Sequence, residues 1–84
     1  MNRGELIVYI EKDRKEKYKC ILSTIYIMKQ LVVNSKMKIV YFEVFKNNRT
    51  AIARLEKMQS LSHLRLVELI KDSNPEMLNL INCI

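Results

Sequence analysis

The sequence predicts a small α+β domain in which a three-stranded antiparallel sheet is flanked by helices, in the order β-β-α-β-α-α. Two short apolar runs lie near the amino terminus, a longer one occupies residues 37–45, and patterns of helical period fill the chain after residue 48. The chain has 84 residues, of which 49% are hydrophobic, with one Gly and one Pro. It is therefore too short for a second core and too apolar to be disordered. We therefore expect residues 1–84 to form a single domain.

The first two apolar runs, residues 6–10 and 18–22, predict neighbouring strands. Both contain β-branched or aromatic side chains, and the connection at residues 11–17 consists entirely of charged residues. Two apolar runs joined by a short polar connection most economically form an antiparallel hairpin.

Residues 23–34 fit a helix better than a strand. Their β-branched content favours a strand, but apolar residues at positions 25, 28 and 32 recur with helical spacing and strict alternation fails. Ser23 or Thr24 is available as the N-cap.

The remaining chain predicts one strand and three helices. Residues 37–45 are dense in strand formers, and a helix follows with Asn48 or Thr50 as its N-cap. Residues 60–62 interrupt the helical pattern before a second amphipathic stretch. The sequence Ser-Asn-Pro-Glu at residues 73–76 predicts the start of a short last helix, because it places Pro at a first helical position and an acid in the first turn.

The charge balance favours an anionic partner. Fifteen Lys and Arg against nine Asp and Glu give a net charge of +6, which suits nucleic acid and equally serves solubility. Two cysteines and one histidine provide no local disulfide or zinc motif, and no run approaches the length of a membrane span. We expect a cytoplasmic protein with no membrane partner.

From residue 38 onward the sequence resembles the small stand-alone proteins of the GIY-YIG nuclease superfamily. The similarity runs through a strand at residues 39–45, a helix that begins Ala-Ile-Ala-Arg at residues 51–54, and an Asn-Pro-Glu segment at residues 74–76. In the amino-terminal half, Val8-Tyr9-Ile10 resembles the first signature strand and Tyr18-Lys19-Cys20 resembles an altered second signature.

The resemblance implies a nuclease chemistry with four parts. Two tyrosines orient and deprotonate water, an arginine stabilises the charge of the transition state, a glutamate holds a divalent metal ion, and a glycine lets the DNA backbone come close. By this resemblance Tyr9 and Tyr18 are remnants of the catalytic pair. The residues alone favour the simpler interpretation that both tyrosines pack in half-buried strands.

The arginine and glutamate of the family are missing at the expected places. Counting along the chain puts the arginine at Met28 and the glutamate at Leu55. Lys29 and Glu56 are each one residue away, but one residue turns a helical side chain by about 100°, so they serve only in a shifted geometry. We expect a catalytically impaired domain without a cofactor, with Mg²⁺ or Mn²⁺ as metal if activity survives.

The basic side chains are the candidate contacts for weak, non-specific DNA binding. They are Lys12, Arg14, Lys15, Lys17, Lys29, Arg49, Arg54 and Lys57.

Two alternatives stay open. One is an active, metal-dependent DNA endonuclease that uses Tyr9, Tyr18, Lys29 and Glu56. The other is a homo-oligomeric interaction module in which the apolar segment 25–33 covers a partner.

Overall fold

The computed structural model describes residues 5–32 and 36–84. The elements follow the predicted β-β-α-β-α-α order and end in a short 3₁₀ turn at Ile81–Cys83. Their bounds are β1 Leu6–Lys12, β2 Tyr18–Thr24, α1 Ile25–Val32, β3 Lys38–Phe45, α2 Asn48–Gln59 and α3 His63–Ser73. The three strands form an antiparallel sheet in the order β2-β1-β3, which confirms the predicted fold class.

The central strand β1 is buried on both faces. Ile7, Val8, Tyr9 and Ile10 are each at most 1% exposed. Because successive side chains of a strand point to opposite faces, such a run requires cover on both sides of the sheet.

Two separate clusters provide this cover. On one face α2 and α3 pack against Val8 and Ile10, and on the other face α1 and the carboxyl-terminal residues pack against Ile7 and Tyr9. The buried residues that complete the first cluster are Val40, Ala51, Met58, Leu66 and Ile70, and those that complete the second are Met28 and Ile39.

A register shift in β3 changes which side chains face α2. Ile10 pairs with Tyr41 but Glu11 pairs with Ile39, so Val40 is an extra residue without a partner on β1. Val40 and Tyr41 therefore both pack towards the cluster under α2 and α3.

The predicted helix at residues 23–34 is present but starts later. Strand β2 continues through Thr24, and the Thr24 hydroxyl then accepts a hydrogen bond from the Ile27 amide at 3.1 Å. The predicted end of this helix at Asn34 lies outside the described residues.

The predicted N-cap of α2 is wrong by at least one residue. The N-cap of α2 is Asn47 and not Asn48 or Thr50. The Asn47 side chain accepts hydrogen bonds from the backbone amides of Arg49 at 2.7 Å and Thr50 at 3.3 Å. The interruption at residues 60–62 is confirmed, and Ser62 caps α3 through the Arg65 amide at 3.2 Å.

The predicted short helix that begins at residues 73–76 is wrong. Helix α3 continues through Ser73, and Asn74 is 5% exposed and turns inward. Its side-chain nitrogen donates to the carbonyls of Val40 at 3.0 Å and Leu78 at 2.9 Å, while its oxygen accepts the Leu78 amide at 3.0 Å. A buried side chain with three such partners holds the chain in a turn where Asn-Pro-Glu alone suggested a helix start.

The segment after this turn lies along the outer edge of β3. The Leu80 amide donates to the Ile39 carbonyl at 2.8 Å, and the Ile39 amide donates to the Asn79 side chain at 3.2 Å. The beginning of β3 is thus closed against further strand pairing.

We predict that Asn74→Ala lowers the free energy of unfolding by about 3 kcal/mol, because the substitution leaves buried backbone groups of β3 and the turn without partners. Urea unfolding followed by circular dichroism measures this change. Asn82→Ala, at an exposed asparagine of the 3₁₀ turn, serves as control and should change the value by less than about 0.5 kcal/mol. Equal effects of the two substitutions would contradict the structural role of Asn74.

Candidate functional site

Positive charge collects at the end of the sheet that carries the β1–β2 turn. This end, here called the basic end, brings four predicted DNA-binding residues together with Lys38 at the start of β3 and Lys36 just before it. It contains two shallow clefts of about 330 and 400 Å³. The carboxylates of Asp13 and Glu16 also line it. Its cations are Lys12, Arg14, Lys15, Lys17, Lys36 and Lys38.

Two of these lysines face each other directly. Lys12 and Lys38 are cross-strand partners at the ends of β1 and β3. Like charges in directly opposed positions of a sheet are destabilising. Lys12 has one acidic neighbour, Glu16, at 3.5 Å, and the Glu16 side chain is largely exposed.

The turn of the basic end is organised by Asp13. Its carboxylate accepts hydrogen bonds from the backbone amides of Lys15 at 2.8 Å and Lys17 at 2.9 Å. Its own backbone amide donates a hydrogen bond to the Lys17 carbonyl at 3.0 Å. These amide hydrogen bonds, led by that of Lys17, lower the pKa of Asp13. The carboxylate is thereby directed at the backbone of the turn, and Arg14, Lys15 and Lys17 are exposed.

We predict that acid loosens this turn. Because the pKa of Asp13 is lowered in the folded chain, the stabilisation is complete above the ordinary Asp range near pH ~4 and is lost as the pH falls through the lowered pKa. Hydrogen exchange of the Lys15 and Lys17 amides between about pH 6 and 2 measures the effect. Asp13→Ala should abolish the protection at every pH, whereas Asp72→Ala on α3 should leave it unchanged.

The structure does not bring the two candidate catalytic tyrosines together. Tyr9 is 1% exposed and packs with Met28 under α1, and its pKa is raised by burial and then by Glu11. Tyr18 packs on the opposite face, against the cluster under α2 and α3. In the observed register Tyr9 pairs with Ile21, so it lies on the other side of the sheet from Tyr18.

The shifted candidates, Lys29 and Glu56, are also apart. Lys29 is exposed on α1 and borders a cleft with Ile81 and Ile84, on the face that covers Tyr9. Glu56 is exposed on α2, on the opposite side of the sheet. The residues at the family's expected positions are core: Met28 is fully buried, and Leu55 packs against the cluster under α2 and α3.

Arg54 is already engaged by a carboxylate. Its Nε donates to both Glu43 oxygens at 3.1 Å and its Nη2 to Oε2 at 2.9 Å, while the Tyr41 hydroxyl also donates to Glu43. The hydrogen bond to Glu43 raises the pKa of Arg54. Burial, followed by the hydrogen bond that Tyr41 itself donates to Glu43, raises the pKa of Tyr41. Arg54, predicted as a phosphate contact, thus joins α2 to β3.

Sequence reasoning missed Tyr41 and Glu43 as partners of Arg54. The available signal was a lone acid inside an apolar strand, two residues after a tyrosine and therefore on the same face. A carboxylate in such a strand requires a donor from a packed element.

We predict a coupling free energy of about 1 kcal/mol between Glu43 and Arg54 in a double-mutant cycle to Gln and Met, because the pair is bidentate and its side chains are only 27% and 29% exposed. Urea unfolding of the four proteins gives this value. The matched cycle on Arg65 and Glu68, an exposed pair at 3.6 Å on α3, should give about 0.3 kcal/mol. Similar couplings in the two cycles would argue against a structural role for the Glu43–Arg54 pair.

The remaining predicted cations lie away from the basic end. Arg49 borders a wide, open cleft of about 860 Å³ at the start of α2, together with Lys46 and Glu56. Lys57 is exposed near the end of the same helix. Four of the eight predicted DNA contacts thus lie together at the basic end and four lie elsewhere, and contact with DNA stays a prediction for all of them.

Residues 5–32 and 36–84 contain no group of three His, Cys, Asp or Glu side chains that could hold a metal ion. Within the same residues no helix has the length and apolar character needed to cross a membrane.

No family model, curated protein or solved structure matches the chain. The assignment to the GIY-YIG superfamily thus stays a prediction from the residues.

The homo-oligomer also stays a prediction. Helix α1 exposes Tyr26, Ile27 and Leu31, as an interaction surface requires.

Proposed function

We propose that this protein is a catalytically degenerate GIY-YIG-like domain that binds the DNA backbone without sequence preference through its basic end. The observation that carries the proposal is the cross-strand pair Lys12 and Lys38. Two lysines in directly opposed positions repel each other, and an anion placed between or above them would relieve the repulsion.

The composition of the basic end suits phosphate. Its six cations, which lie in and beside the β1–β2 turn and at or just before the start of β3, outnumber its two carboxylates, one of which is directed at turn amides. Lysines and arginines on exposed turns neutralise phosphates and release counterions without reading bases. Binding of this kind is weak, rapid and strongly dependent on salt.

The positions of the other candidate residues support a loss of nuclease activity. Tyr9 is buried under α1 on the face opposite Tyr18, and the places of the family's arginine and glutamate hold the core residues Met28 and Leu55. An active endonuclease would need a tyrosine, a cation and a carboxylate at one phosphate.

The test compares two lysines at the two ends of β3. Lys38→Gln should weaken binding of a labelled duplex several-fold and reduce the slope of log affinity against log salt by about one, because one phosphate contact is lost. Lys46→Gln, which follows the other end of the strand, makes the same charge change and should leave binding unchanged. Fluorescence anisotropy at several salt concentrations gives both quantities.

Thermal unfolding adds a check that is independent of DNA. Lys38→Gln should not lower the melting temperature, since it removes a like-charge pair.

Equal loss of affinity in both variants would mean that net charge alone attracts DNA, and the basic end would not be the site. Nicking of supercoiled plasmid with Mg²⁺ or Mn²⁺, absent with chelator, would favour the active endonuclease.

A further inference from the structure

A separate cleft opens beside the basic end, on the face covered by α2 and α3. It lies between the β1–β2 turn, α3 and the turn that follows α3, and its volume of about 420 Å³ is within the range of small-ligand sites. Its walls combine two aromatic rings, a thioether and cations, contributed by Tyr18, His63, Met77, Lys12 and Lys71.

The aromatic wall is held in place by contacts within the protein. The rings of Tyr18 and His63 lie 5.5 Å apart at 52° to each other, and the Tyr18 hydroxyl donates to the Met77 sulfur at 3.6 Å. Tyr18 is half-buried while His63 is exposed. The pair therefore offers a fixed aromatic surface that is still open to a ligand.

Backbone strain is concentrated at this cleft. Within residues 5–32 and 36–84, the non-glycine residues with positive φ are Glu16 at 61° and Met77 at 54°. Both residues line the cleft. Such conformations are unfavourable for residues with a Cβ, and they gather where a site needs a particular arrangement.

The cleft is continuous with the basic end. Lys12 and Glu16 border this cleft and also the neighbouring one that contains Arg14 and Lys38. A chain of phosphates bound along the basic end would therefore pass directly by the opening.

The charges inside the cleft favour a base over a phosphate. Glu16 and Glu76 accompany Lys12 and Lys71, so the cleft lacks the excess of cations found at the basic end. Carboxylates repel a phosphate, but they accept hydrogen bonds from the amino groups of bases. Aromatic side chains stack with every base because each base has a π face.

We propose that the cleft binds one unpaired base of single-stranded DNA, which stacks against Tyr18 and His63 while the adjoining phosphates lie on the basic end. The proposal rests on the proposed function, since the basic end supplies the contact to the backbone. It predicts a preference for single strands, which a surface that binds only phosphates would not produce.

The experiment compares the full chain on a labelled single strand of mixed sequence and on the matching duplex by fluorescence anisotropy. Tyr18→Leu should reduce affinity for the single strand about tenfold and leave affinity for the duplex unchanged. Tyr18→Phe should keep the preference, because stacking needs the ring and not the hydroxyl. Tyr26→Leu, at an exposed tyrosine on α1, is the control and should behave as the parent protein.

A second variant guards against a folding defect of Tyr18→Leu. His63 is exposed, so His63→Ala should fold normally and still weaken binding of the single strand selectively. Unchanged binding by His63→Ala and Tyr18→Leu, or an equal loss on both DNA forms, would overturn the cleft while the basic end remains. A parent protein that binds neither DNA form would overturn the proposed function and, with it, the cleft.

Discussion

The fold depends on burying β1 on both of its faces. Each fully buried side chain of Ile or Val contributes about 1.5–3 kcal/mol relative to exposure, so Ile7, Val8 and Ile10, with the buried Tyr9 among them, concentrate much stability in one strand. Covering both faces uses α1 on one side and α2 with α3 on the other. Polar and charged groups are consequently displaced to the strand ends and to the outer surfaces of the helices. The basic end is one such place.

The register shift in β3 makes a second set of interactions necessary. Val40 has no partner on β1, and its carbonyl accepts the buried Asn74 side chain. Asn74 also shapes the turn that carries Met77, whose amide donates to the Asn74 carbonyl at 3.0 Å. Asn74 therefore connects the extra residue in β3 and the end of α3 to the cleft wall near Tyr18 through hydrogen bonds. A substitution in β3 that displaces Asn74 would therefore also alter the geometry of the proposed base-binding site.

The features that follow from local pattern were predictable from the sequence, and those that follow from register were not. The apolar run at residues 6–10 and the interruption at residues 60–62 indicate a strand and a break between two helices through short-range rules. By contrast, the faces of Tyr9 and Tyr18 depend on the pairing of the hairpin, and a shift of one residue would have put them on the same face. Arg54 is a predicted phosphate contact because of its charge, and its partner Glu43 escaped prediction because it lies 11 residues away on a different element.

The turn between β1 and β2 connects the register of the hairpin to the proposed function. Its five residues, 13–17, set the pairing that places Tyr18 opposite Lys12 and separates it from Tyr9. The same turn exposes Arg14, Lys15 and Lys17, and it uses the positive φ of Glu16 to complete the loop. The Asp13 carboxylate accepts hydrogen bonds from two amides of this turn and so stabilises its conformation. The same conformation therefore keeps the two tyrosines on opposite faces and positions the cations of the basic end. The proposed loss of catalysis and the proposed phosphate-binding surface are thus compatible with one local structure.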